Sequence, residues 1–398
     1  MASRSFSRTY AKKALASAHG LAGGHRFEGK PGALRAVQRM GCIQSDPIDV
    51  AGRNHDLTLQ SRVAGYRPAN LEALLYKDRR IFEYTCKMLS ILPMETYPIF
   101  HSRRQFHVAQ DKAFMKEHTA IVKEILDAAE SGPIASRHFG GEKKVHWWGM
   151  TKVARVALEK LWMQGQLLIH HREGGVKFYA LAERVVPLKL LDVEPPSDAE
   201  AQLAKTLFIA KASRLVSPSR APEQWYFAGR KSAAVRENLD ELVKSEDLFK
   251  LDVEGCKAPL YAPVDDEEIW LDPPELDGGS ARFIAPLDPL LWNRRLFSEI
   301  HGHDYVWEVY KKAHERRYGY YCLPILFNGE YVGMVEPFLR KKDRVLEVRS
   351  LHLFDRGLEG KRAFRESFSE ELDNFSAYCG AEDVTDLTKG KRLSRLTR

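Results

Sequence analysis

An amide and a carboxylate stand two residues apart in GCIQSDPIDVAGRNHDLTLQSR (41–62), at Gln44 and Asp46. In an extended stretch, alternate side chains project to the same side. Such a pair can hold one water between them. The carboxylate accepts its proton or stabilises a nearby positive charge, and the amide fixes its orientation. Pro47 pushes Asp46 out of the right-handed helical region, so the pair belongs on a turn, with a new helix able to begin near Asp49. The alternative is that Asp46 or Asp49 caps that helix.

Cations follow the pair. Arg53, His55 and Arg62 come at intervals of two and seven, so one helix can turn at least Arg53 and His55 towards a polyanion lying at the turn. An exposed polar helix face is the alternative. Lys152 and Arg155 sit where a recognition helix would start, a position suited to phosphate contact or to packing. Arg316 and Arg317 stand beside Tyr318 and Tyr320, a composition suited to phosphates and bases, or to a solvated turn. Trp147-Trp148 reads as core rather than a stacking platform. The 14 histidines show no H-x-x-x-H and the five cysteines no C-x-x-C, so no metal site is expected. No phosphate loop of Walker type and no G-x-S-x-G elbow occurs, which leaves kinase, ATPase and serine-hydrolase chemistry without a foothold.

Several elements must position these residues. The helix ALRAVQRM should stop at Gly41, a natural C-cap. Further on, 156–181 and 237–263 form a degenerate repeat: Leu158 matches Leu239, Leu161 matches Leu242, and Leu167 matches Leu248, each 81 residues apart (239 − 158 = 81). Each copy reads as helix, turn and two-stranded ribbon, the winged-helix pattern. A looser relative lies at 69–89, where Leu71 and Leu74 precede Ile81. After residue 280, apolar runs separated by Asn328-Gly329 and by Lys341-Lys342-Asp343 read as a small antiparallel sheet or β-barrel. A final helix presents Phe364, Phe368, Leu372 and Phe375 on one face. The expected fold is thus α+β: three tandem winged helices, a small barrel and a last helix. The expected divisions are 1–130 with the Gln44–Asp46 loop, 131–190, 200–265, 280–380, and a basic tail at 381–398, whose last ten residues, KGKRLSRLTR, should be mobile.

Composition agrees. A chain of 398 residues is long enough for roughly two to four domains. Its charge, 61 Lys+Arg minus 54 Asp+Glu, is +7, which suits a polyanion partner. No apolar run is long enough for a membrane span. The first twenty residues lack the apolar core of a secretory signal; basic, acid-free and Ser/Ala-rich, they leave organelle targeting as the alternative. Five scattered cysteines fit a reduced, cytoplasmic chain.

From about Phe6 to Leu351 the sequence resembles the YcaQ/AlkZ/AlkX family of winged-helix DNA glycosylases. Five blocks in order carry the resemblance: 43–62, 81–100, 146–167, 283–296 and 304–333. The resemblance implies tandem winged helices with a small β-barrel, hydrolytic release of alkylated purines, and in some members unhooking of interstrand crosslinks. The family's Gln-x-Gln or Gln-x-Asp signature falls on Gln44-Ser45-Asp46, the version similar to the crosslink-unhooking branch. There are three departures. Ser45 replaces a bulky aliphatic residue, Thr85-Cys86-Lys87 follows Phe82-Glu83-Tyr84 where Trp and His are usual, and Pro337 interrupts the barrel segment. The expected protein is a monofunctional DNA N-glycosylase without cofactor, monomeric, acting on alkylated or crosslinked duplex DNA at the nucleoid. A non-catalytic winged-helix regulator would explain the charge and the modules but not the Gln-x-Asp turn in its flanks. An interaction scaffold is a third reading.

Overall fold

The computed structural model describes residues 4–140, 144–146, 150–218, 232–274 and 279–397; Trp147-Trp148 lies outside them. The chain forms two compact units, Met1–Leu71 with Lys205–Arg398, and Glu72–Ala204. Secondary structure is mixed α and β in both.

In the first unit, Ser7 caps the helix Arg8–Ala18, its hydroxyl accepting from the Tyr10 N–H at 3.2 Å. The preceding strand Arg4–Phe6 runs parallel to Leu248–Val253, which pairs antiparallel with Leu260–Pro263. The N-terminal segment therefore completes the sheet of the expected third module, a pairing across more than 240 residues.

A five-stranded sheet follows in the linear order Ala281–Phe283, Leu323–Phe327, Glu330–Arg340, Val345–Leu353 and Asp383–Asp386. Asn328 and Gly329 both take positive φ, the geometry of a tight hairpin turn. The register slips between Glu336 and Pro337, because proline has no N–H to give the ladder. The last pair is parallel, so the sheet is mixed rather than wholly antiparallel. The helix Arg362–Cys379 is the crossover that parallel pairing requires. Phe364, Phe368, Leu372 and Phe375 on that helix are buried, as the periodicity predicts.

The expected basic tail is corrected. Asp383–Asp386 is a strand and Arg392–Leu396 a helix whose Leu393 and Leu396 enter the core. Asp386 receives the Ser394 N–H at 2.9 Å, and Arg392 pairs with Glu359. Two leucines three apart bury enough apolar surface to hold the segment down despite its cations.

The second unit contains the hairpin Ile81–Cys86/Met88–Pro93 and the helices His101–Glu117 and Thr119–Ser131. The helix Val153–Met163 leads to the hairpin Leu167–Glu173/Val176–Leu181. In the first unit the helix Ser232–Lys244 leads likewise to Leu248–Val253/Leu260–Pro263. All three leucine pairs of the 81-residue repeat are buried. No helix among the described residues is long and apolar enough to cross a membrane. None of the five cysteines forms a disulfide among the described residues.

Candidate active site

The turn is built from its neighbours. The helix Gly29–Met40 buries Ala33, Ala36, Val37 and Met40 and ends at Gly41, whose φ is +67°. Cys42 and Ile43 are fully buried, and Ile43–Gln44 forms a short strand. The chain then runs without regular structure to the helix Asn54–Gln60. The helix thus begins five residues later than the expected start at Asp49. Asp46 does not cap it: its Oδ1 accepts the Ile48 N–H at 2.9 Å, a side-chain turn over Pro47. Asp46 Oδ2 carries no hydrogen bond among the described residues, and the residue is half-buried. Gln44 is 7% exposed, and its Oε1 is buried without a partner. Asp49 accepts the Gly52 N–H at 3.2 Å and pairs with Lys341 at 2.6 Å.

Three contacts fix the turn from behind. Asn54, fully buried, donates to the Gln44 carbonyl at 2.8 Å and accepts the Leu287 N–H at 2.9 Å. Arg62 forms a two-pronged ion pair with Asp288 at 2.7 and 2.9 Å. The sequence blocks 43–62 and 283–296 are therefore stitched together at two points. Ser45 Oγ lies 3.2 Å from His55 Nδ1, and His55 Nε2 lies 3.5 Å from Asp56, which accepts the Tyr66 O–H at 2.6 Å. Ser45, where the family has an aliphatic anchor, is thus held by a polar one. Gly52, at φ +125°, passes so close to Tyr378 that a Cβ would stand 2.2 Å from its hydroxyl oxygen.

Burial, reinforced by the charges of Asp46 and Asp49, pushes the Tyr321 phenol well above its usual range. Burial and Asp56 do the same to Tyr378. Both phenols therefore keep their proton at neutral pH.

The expected cation set divides. Arg53 is exposed next to the turn. Lys152 and Arg155 are exposed at the start of Val153–Met163 in the second unit. Arg317 is exposed, and Arg316 and Tyr318 are half-buried; Arg316 lies over the Tyr320 ring at 4.8 Å and Arg317 over the Tyr318 ring at 5.0 Å. Two expectations are corrected. Arg62 is 1% exposed, and its guanidinium is consumed by Asp288, the His19 and Thr58 carbonyls and Ser61. His55 is buried and faces Ser45 rather than solvent. The helix Asn54–Gln60 is buried throughout, so a polar residue on it points into protein. Asn54 and Asp288 escaped sequence reasoning. Their only signal was membership of the landmark blocks, since polar residues binding over such separations leave no periodicity.

Among solved structures, the Streptomyces sahachiroi DNA glycosylase AlkZ is similar with a TM-score of 0.63 and 14% identity, covering 96% of this chain and 100% of that one. At that identity the likeness is one of fold. A family profile described as DNA glycosylase AlkZ-like matches residues 37–378, from the helix before the turn to Tyr378 behind it. With most of its length so matched, the chain belongs to the AlkZ-like DNA glycosylase family and is a DNA-acting glycosidase of repair.

Proposed function

We propose that this glycosylase hydrolyses the N-glycosidic bond of N7-alkylated purines in duplex DNA, unhooks crosslinks made through the same atom, and does so as a monomer without cofactor. The observation that carries this reading is the turn itself. Asp46 presents an unbonded carboxylate oxygen two residues from the unpartnered Gln44 Oε1.

An N7-alkylated guanine is cationic, so it leaves without a strong acid. The deoxyribose passes through an oxocarbenium-like state, which Asp46 stabilises by charge. Water held by Gln44 and Asp46 attacks C1′. Its oxygen bonds to carbon, the C1′–N9 pair leaves with the base and cancels its charge, and one proton passes to Asp46. General-base assistance of this kind contributes ~10²–10⁴ in rate. Lys341, an amine at the turn, is engaged by Asp49, which supports hydrolysis over Schiff-base chemistry. The helix–hairpin units at 153–181 and 232–263, with the looser relative at 69–89 as a third, act as winged helices carrying the duplex, and the strands after residue 280 as the barrel. Arg53, Lys152, Arg155, Arg316, Arg317 and Tyr318 serve as the DNA contacts, each exposed or half-buried.

The test offers duplex DNA containing 7-methylguanine and follows free base under single turnover. Asp46→Asn should lose at least ~10²-fold in rate. Release equal to wild type removes Asp46 from the mechanism. Borohydride trapping of protein on DNA would refute the monofunctional reading.

A further inference from the structure

A cavity of about 260 Å³ opens beside the helix that leads into the turn. Arg26, Gln38, Arg39, Lys211, Arg214 and Asp265 line it, all within the first unit. Gln38 and Arg39 belong to the last turn of Gly29–Met40, and Lys211 to the last turn of the helix Asp198–Ser213. Asp266, fully buried, is shared by Arg39 and by Arg214, whose Nη1 lies 3.2 Å away. Arg39 also donates to the Ala18 carbonyl at 3.1 Å, and Arg214 to the Arg39 carbonyl. Lys211 pairs with Asp265 at 3.2 Å. Arg26 is exposed and makes no hydrogen bond or ion pair among the described residues. Four cations thus stand against two carboxylates.

The excess charge is felt by its owners. Burial, and then the charge of Arg39, push Arg26 below its ordinary value. Burial pushes Arg214 down to about 10 against the pull of Asp266, and Arg39 adds to the fall. A bound anion relieves such crowding. Cations complement helix C-termini, which accounts for Arg39 and Lys211. It leaves over Arg26 and the open space that these side chains surround.

We propose that this cavity is a phosphate subsite, in which Arg26 and Lys211 grip a backbone phosphate of the bound duplex over the fixed guanidiniums of Arg39 and Arg214. A guanidinium fork matches two phosphate oxygens. The space admits a phosphate with several waters, each taking roughly 30 Å³. Asp266 holds Arg39 and Arg214 in place before the ligand arrives, while Arg26 has its donors to give. Arg39 stands five residues before Gln44, so a phosphate held here ties the strand to the element that carries the turn.

This inference rests on the reading of duplex DNA as the substrate and not on the role of Asp46. The probe is a duplex containing 7-methylguanine, its binding to the full chain followed by fluorescence anisotropy across a salt series. Arg26→Gln should weaken binding about eightfold at about 0.1 M salt and flatten the plot of log K against log salt by about 0.9, the share of one phosphate contact. Asp265→Asn removes a carboxylate and releases Lys211, so it should tighten binding several-fold. The thermal midpoint should hold in both, since both side chains are exposed. Unchanged affinity and slope in Arg26→Gln, with wild type binding the duplex, overturns the subsite alone. Weaker binding in both variants also overturns it, because the two charges must act with opposite sign. Millimolar inorganic phosphate separates the sources of the anion. If it raises the thermal midpoint of wild type but not of Arg26→Gln, while the duplex slopes agree, the cavity takes a free anion and the duplex assignment falls. A wild-type protein that binds no duplex overturns the reading of the substrate instead.

Discussion

Replacing Arg62 by alanine distinguishes a phosphate contact from a structural clamp. The guanidinium makes five hydrogen bonds, to the carbonyls of His19 and Thr58, to Ser61 Oγ and to both oxygens of Asp288. Asp288 is fully buried and, without Arg62, keeps only the Leu290 N–H at 3.0 Å on its side chain. Breaking a buried pair by removing one partner costs about 3–5 kcal/mol, since the other charge stays uncompensated. That is a large share of the roughly 5–15 kcal/mol holding a typical domain together. Arg62→Ala should therefore lower the urea midpoint sharply. Arg62→Met/Asp288→Leu, which removes both charges, should recover most of the loss. The second readout is the salt dependence of duplex binding. A lost phosphate contact flattens the plot of log K against log salt by about 0.9; a lost clamp leaves the slope alone. A stable Arg62→Ala protein with a flattened slope would refute the assignment and restore the phosphate contact.

Three further perturbations test other parts of the structure. Burial pushes Glu371 up to about 7, opposed by Arg282 and the Phe283 N–H. Between its ordinary value and about 7 the unfolded chain loses this proton while the folded chain keeps it, so stability falls as pH rises through that window. Glu371→Gln should be more stable than wild type near pH 8, by up to about 3 kcal/mol, with the difference vanishing below about pH 4.5; urea midpoints at the two pH values decide. Gly52→Ala places a methyl 2.2 Å from the Tyr378 hydroxyl oxygen at a φ of +125°, so glycosylase rate should drop about tenfold or more. Tyr378→Phe should recover part of that drop by removing the oxygen. Ser45→Ala and His55→Ala each break the polar anchor of the turn, and should slow base release several-fold without changing the salt slope of DNA binding.

Much of the local structure was legible. Gly41 ends its helix, Asn328-Gly329 turns a hairpin, and Phe364, Phe368, Leu372 and Phe375 share a buried face, because each rests on contacts within a few residues. The 81-residue repeat was legible because helix and hairpin each carry their own period. The cations near the turn were harder. Charge and spacing predict Arg53 and Arg62 alike to face outwards, yet one is exposed and the other is the most enclosed arginine in the described structure. The difference is Asp288, 226 residues away, which no local pattern connects to Arg62. Ser45 stands where a bulky aliphatic residue is usual; His55 on the next helix replaces the missing apolar contact with a hydrogen bond.

The amino-acid order alone determined the family, the position of the Gln44–Asp46 turn and the helix–hairpin grammar around it, since motifs and periodicities are properties of neighbours in the chain. Only the tertiary structure decided which polar side chains look inward. Asn54, Arg62 and His55 hold the turn. Whether a polar group meets water or protein depends on what folds over it. Here the covering segments, 283–296 and 304–333, come from the far end of the sequence.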